Sequence, residues 1–143
     1  MRFVFVDRVV SAEPRRSIET LKNVSAAEDV FADHFPGYPV FPGALVIEAF
    51  AQASQLLIDM SHDFTAVGRL HGLSRVAFGR LVRPGDQLAI RCERRPVEGA
   101  WVFDASATVD GPQTETARRA ECLRAFAREL QRSPGEATRA GDE

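Results

Sequence analysis

Glu48 is an acid set in an apolar stretch, with Ala44-Leu45-Val46-Ile47 before it and Ala49-Phe50 after it. On a helix, Glu48, Gln52, Gln55 and Asp59 fall at i, i+4, i+7 and i+11, a polar stripe about 60° wide. From spacing alone such a stripe reads as the solvent-facing edge of an otherwise buried helix. The alternative is that it lines a cleft, where desolvation would favour the protonated acid and supply a proton donor near neutral pH. His34 is one of three histidines, with His62 and His71. A lone histidine is ordinarily a satisfied surface or core residue. His34, however, stands at the entry of HFPGYPVFPG, where Pro36, Pro39 and Pro42 stiffen the chain and leave little entropy to lose on ordering. Gly43 opens the helix, and its free N–H and the positive dipole end could hold a developing oxyanion. Turn chemistry after Pro42 is by itself a sufficient reason for that glycine. A histidine base, a carboxylic acid and an oxyanion donor together suit removal of a proton next to a carbonyl and expulsion of a β-hydroxyl.

These groups must be positioned by elements that the patterning outlines. Residues 3–10 and 17–24, β-branched and aromatic-rich, read as two strands separated by the turn-like Ala12-Glu13-Pro14. Prolines at every third position from 36 to 42 predict an extended, polyproline-like loop over 34–43. ALVIEAFAQASQLLI has 11 apolar residues in 15 and predicts a buried helix from about 44 to 60. A polar loop (59–68) leads to a mixed strand-like stretch over 69–80. Residues 86–94 then alternate, with Leu88, Ile90 and Cys92 on one face. Residues 100–110 put Trp101, Phe103, Ala105, Ala107 and Val109 inward, and Asp110-Gly111 signals a turn. Over 116–130, periodicity alone gives a helix, because Ala120, Leu123, Ala127 and Leu130 form a stripe. The polar tail from Gln131 reads as disordered, leaving one domain over 1–130. Strands around one apolar helix define an α+β class, with the sheet curled about the helix.

Composition narrows the function. At 143 residues, 45% hydrophobic and 27% charged, the chain can bury roughly 68% of its unfolded surface around one core. A net charge of −2 argues against a nucleic-acid binder acting through a global positive field. Only Lys22 of 18 basic residues is lysine, an arginine excess that names no function. Cys92 and Cys122 have no metal-ligand spacing and read as two reduced core thiols rather than a disulfide. With no signal-peptide run at the N-terminus and no apolar stretch long enough to span a bilayer, the expectation is a soluble cytoplasmic protein.

The string HFPGYPVFPGALVIEAFAQAS resembles the signature segment of FabZ-type 3-hydroxyacyl-[acyl-carrier-protein] dehydratases, members of the hotdog-fold superfamily. Its marks are a histidine, Phe-Pro, two further prolines, Pro-Gly, and a helix acid fourteen residues past the histidine, here Glu48. The likeness extends through FVDRVV and LKNVS upstream and GLSRVAFGRLVRPGDQL downstream, over about residues 3–110. The resemblance implies a long central helix wrapped by a six-stranded antiparallel sheet. It implies a homodimer with shared active sites, His34 from one protomer meeting Glu48 of its partner, and leaves open a higher assembly. Nine residues of polyproline-like chain would span about 28 Å, so nothing forces His34 next to its own Glu48. By the same resemblance, His34 abstracts the C2 proton of a 3-hydroxyacyl thioester and Glu48 protonates the departing C3 hydroxyl. The Gly43 N–H polarises the thioester carbonyl, and Gln52 orients the carboxylate or lines the pocket. Apart from the resemblance, His71-Gly72 reads first as a plain strand position, with a flank of the acyl tunnel as the alternative. Glutamate rather than aspartate at 48 favours this type over the dehydratase–isomerase (FabA) type. No metal or organic cofactor is implied; the partner is an acyl carrier protein.

Two departures bear on substrate scope. Tyr38 is bulky for the middle of the proline loop, and the segment after Asp110 is long and arginine-rich. The resemblance requires a strand there to close the sheet, against the helical periodicity, and that requirement is the one adopted. Arg69, Arg75, Arg80 and Arg83 read as a docking patch for an acidic carrier protein or, equally, as a solvated edge. The expected product is a trans-2-enoyl thioester, in fatty-acid or related polyketide and polyene biosynthesis. A hotdog acyl-thioesterase and a non-catalytic subunit that binds a carrier protein are the competing readings.

Overall fold

A computed structural model describes residues 3–110, 120–127 and 131–132. In chain order its elements are β1 (Arg8–Glu13), β2 (Ser17–Asn23), α1 (Val30–Asp33), α2 (Gly43–Ser61), β3 (Ala66–Val67), β4 (Leu70–Arg75), β5 (Gln87–Val97), β6 (Ala100–Asp110), β7 (Ala120–Ala127) and β8 (Gln131–Arg132). Six strands form one antiparallel sheet in the order β1-β2-β5-β6-β7-β4, and β3 pairs with β8 beside it.

The period-2 pattern decides which face of the sheet is buried. Leu88, Ile90 and Cys92 of β5 lie in register with Val109, Ala107 and Ala105 of β6, and all six are buried. Ile18 and Thr20 of β2 continue that face. The helix α2 packs on β2, β5 and β6. It turns Val46, Ala49, Phe50, Ala53, Leu57 and Ile58 into the core, and the small Ala49 and Ala53 let its backbone approach the strands. An apolar helix held in a curled antiparallel sheet is the hotdog arrangement, an α+β fold, as the resemblance implied.

Three local expectations are corrected. The first strand begins at Arg8, not at residue 3, and runs through Glu13; the turn starts only at Pro14, with Arg15 at φ +65°. Phe3–Phe5 stays outside the ladder because the Phe5 N–H is taken by a side chain, and Phe5 packs edge-on against Phe41. The proline loop is not a polyproline rod: Phe35 (φ +54°) and Gly37 (φ +81°) are left-handed, and the Tyr38 N–H closes a turn on the Phe35 carbonyl. Each proline restrains its own φ and leaves the intervening residues free, so the reach of about 28 Å computed for an extended chain does not apply. Residues 120–127 form a strand, as the resemblance required and the periodicity did not; 111–119 and 128–130, including Gly111, lie outside the described residues. The polar segment after the helix is not wholly loop, since α2 runs to Ser61 and Ala66–Val67 pairs with Gln131–Arg132. The remainder of the expected tail, 133–143, lies outside the described residues. The Cys92 thiol is free and buried; the Cys122 side chain lies outside the description.

Candidate active site

The helix that carries Glu48 starts where two loops are tied together. The Phe41 N–H bonds the Val82 carbonyl at 2.7 Å, and both side chains are buried. Pro42 then takes the N-cap, with no side-chain cap, and its carbonyl accepts from the N–H groups of Leu45 and Val46. Gly43 is therefore the first helical residue, where N–H groups lack intrahelical partners and the dipole is positive. A Cβ at Gly43 would lie 2.7 Å from the Phe78 ring, so the absence of a side chain lets that ring lie against the helix start. Phe78 gives no signal of this contact in the sequence, where it is a lone phenylalanine between Ala77 and Gly79.

Glu48 is exposed one turn further along, and its carboxylate is held by Gln52. The Gln52 Nε2 donates to Glu48 Oε1 (3.0 Å) and to the Phe3 carbonyl (3.1 Å), while its Oε1 accepts from the Phe5 N–H (2.8 Å). One carboxamide thus fastens the N-terminal segment to the helix and fixes one Glu48 oxygen, leaving Oε2 available. The whole stripe of Glu48, Gln52, Gln55 and Asp59 lines a cleft of about 500 Å³. This corrects the reading of the stripe as a solvent-facing edge: it faces a second wall made by Val6 and Gly68–Leu70. Gly68 can lie there because its bare Cα sits against Gln55 and Ile58, where a Cβ would approach to 2.7 Å.

His34 follows α1, half-buried, with its ring edge-on to Phe35. Its Nδ1 lies 2.7 Å from the Val40 carbonyl. A carbonyl oxygen only accepts, so Nδ1 carries the hydrogen and Nε2 of the neutral ring keeps its lone pair. The turn through Phe35 and Gly37 makes this bond, because it folds Val40 back toward the ring. His34 is not among the residues lining the cleft of its own Glu48. Gly72 lies on β4 in register with Phe126 and also outside that lining, as does the exposed His71. Tyr38 is likewise outside it; its hydroxyl and ring are both engaged by the Arg83 guanidinium, 4.9 Å from the ring centre. Arg80 pairs with Asp86 at 3.7 Å, while Arg69 and Arg75 are exposed. Among the described residues no group of three or more acidic, histidine or cysteine side chains is placed to hold a metal ion, and no helix is long and apolar enough to cross a membrane.

Fold and site together define a hotdog protein with an acid on its central helix and a backbone-oriented histidine before it. Solved structures share the fold: the dehydratase heterocomplex ApeI:P from Xenorhabdus doucetiae (TM-score 0.60, 16% identity, 87% of this chain and 97% of that one) and a hypothetical thioesterase with coenzyme A from Streptococcus pneumoniae (TM-score 0.64, 16% identity, 88% of each). Residues 1–118 match the FabA-like domain family. The 3-hydroxyacyl-[acyl-carrier-protein] dehydratase FabZ of Cupriavidus metallidurans is 44% identical over 124 residues, 84% of this chain and 81% of that protein. FabZ of Dechloromonas aromatica is 40% identical over 121 residues, 81% and 84%. The chain belongs to the FabA-like family, in its FabZ branch.

Proposed function

We propose that the protein dehydrates 3-hydroxyacyl thioesters carried on an acyl carrier protein, giving trans-2-enoyl thioesters for fatty-acid or related polyketide and polyene assembly in the cytoplasm. The His34 Nε2 takes the C2 proton. The Gly43 N–H stabilises the charge that grows on the thioester oxygen. Glu48 gives its proton to the C3 hydroxyl, the C3–O bond breaks, water leaves and the C2–C3 double bond forms. His34 ends protonated and Glu48 ionised, and proton exchange with solvent resets both. The observation that carries the reading is the bond from His34 Nδ1 to the Val40 carbonyl, because it leaves Nε2 as a free base beside a loop that leads straight to the oxyanion donor. The likeness to FabZ relatives supports the choice of substrate over thioester hydrolysis.

His34 and Glu48 act across a homodimer, each cleft being completed by the partner's histidine. That His34 stands outside the lining of its own chain's cleft favours this arrangement. Gln52 is a positioning residue for the acid. Gly72 borders the acyl tunnel only once the partner is in place. Arg75, exposed at the end of β4, is the carrier's docking contact, whereas Arg69 lines the Glu48 cleft. The test is product analysis with a 3-hydroxyacyl thioester on carrier protein and on pantetheine. Wild type should form the enoyl thioester, and His34→Ala and Glu48→Gln should each lose at least ~10²-fold. Release of free thiol in place of enoyl product would make the protein a thioesterase. No turnover on either carrier would make it a binding subunit.

A further inference from the structure

The cleft that starts at Glu48 does not become purely apolar at depth. Gln55 lies seven residues and Asp59 eleven residues beyond Glu48, about 10 and 16 Å along the helix axis, and both are half-buried and line the same cleft. Gln55 Nε2 donates to Asp59 Oδ1 at 2.5 Å, and its Oε1 is set against the bare Cα of Gly68, so the carboxamide is fixed in place. Arg69, next to Gly68, also borders this lining. The intervening surface is apolar, with Ala51, Leu56, Ile58 and Phe103. A methyl-ended acyl chain long enough to reach Gln55 would strip water from the carboxamide and the carboxylate and return no hydrogen bond, which disfavours it. A chain ending in a hydroxyl would replace that water with a donor to Asp59.

We propose that Gln55 and Asp59 form a distal polar subsite of the acyl cleft, which selects 3-hydroxyacyl groups whose far end carries a hydrogen-bond donor over alkyl-ended groups of the same length. This rests on the dehydratase reading and names its substrate class. An alkyl-binding cleft discriminates weakly between isosteres, whereas one with built polar partners rejects the analogue that leaves them unpaired.

The experiment compares kcat/KM for 3,12-dihydroxydodecanoyl- and 3-hydroxytridecanoyl-pantetheine, a hydroxyl–methyl isosteric pair, with 3-hydroxybutyryl-pantetheine as a substrate too short to reach the subsite. Wild type should favour the hydroxyl-ended chain by about tenfold or more. Asp59→Leu and Gln55→Leu should collapse or invert that ratio, and Asp59→Asn should retain most of it. The ratio is taken within each enzyme, so a variant that folds poorly still reports it. Equal or better use of the methyl-ended chain by wild type would overturn the subsite, as would a ratio unmoved by both leucine variants. Enoyl formation from the butyryl substrate without discrimination between the long chains overturns this inference alone. No enoyl product from any of the three overturns the dehydratase reading itself.

Discussion

His34 and Glu48 are each held by a single hydrogen bond that leaves one heteroatom free, and the two holders are as consequential as the two reacting groups. Val40 contributes a carbonyl, which a side-chain substitution leaves in place. Gln52 contributes a carboxamide and can be removed. Gln52→Leu should lower kcat roughly tenfold with KM little changed, as Glu48 loses the group that orients it, and cost about 1–3 kcal/mol because the Phe5 N–H loses its acceptor. Steady-state kinetics and urea unfolding measure these; lost stability with an unchanged kcat would reduce Gln52 to a structural clamp. Cys92 gives a prediction independent of catalysis. Burial pushes its thiol up to about 11, against about 9 when exposed, with the neighbouring Ser54 hydroxyl opposing the shift. The folded protein therefore keeps a proton that the unfolded chain releases. Stability from this group is whole below pH 9 and falls as pH rises from 9 toward 11, by about 2–3 kcal/mol. Cys92→Ala should flatten that part of the urea-midpoint curve; a slope identical to wild type would contradict the burial argument.

At the scale of elements, the helix and its start carry the site. Gly43→Ala would drive a methyl into the Phe78 ring at 2.7 Å. The ring is largely exposed, so it can swing away at little cost to stability. The expected outcome is a melting point within a few degrees of wild type together with a kcat lowered at least about tenfold, since the oxyanion corner is rebuilt. Retained kcat would remove Gly43 from the mechanism. These elements were legible in the sequence to different degrees, for physical reasons. The helix read from 44 to 60 is found at Gly43–Ser61 because its apolar density allowed little else. The alternation in 86–94 and 100–110 located β5 and β6 because one face of each is fully buried. Residues 3–5 misled because an aromatic, β-branched run looks the same whether an N–H such as that of Phe5 meets a strand or a glutamine side chain. The proline loop misled because its bends belong to Phe35 and Gly37, between the prolines. In 120–127 periodicity alone pointed to a helix, against the strand the resemblance required and the sheet contains, because pairing with β4 and β6 overrides the weak strand preference of its alanines.

The whole molecule shows why the site itself was only half legible. Residue types and the fourteen-residue spacing named a base and an acid, but no spacing says whether they meet within a chain or between chains. Nor did the stripe reveal its cleft, since the opposing wall at Gly68–Leu70 comes from a segment that had read as loop and mixed strand. The lining of the Glu48 cleft excludes His34, and the proposed dehydration site is assembled from His34 of one protomer and Glu48 of the other. Mixing His34→Ala and Glu48→Gln chains under conditions that let subunits exchange tests this most directly. Each mixed dimer would hold one intact site and one doubly defective site. Random exchange should therefore restore enoyl formation to about a quarter of wild type, from two parents that are each at least ~10²-fold down. Activity that never rises above the sum of the two parents, although mixed dimers are present, would contradict the shared site.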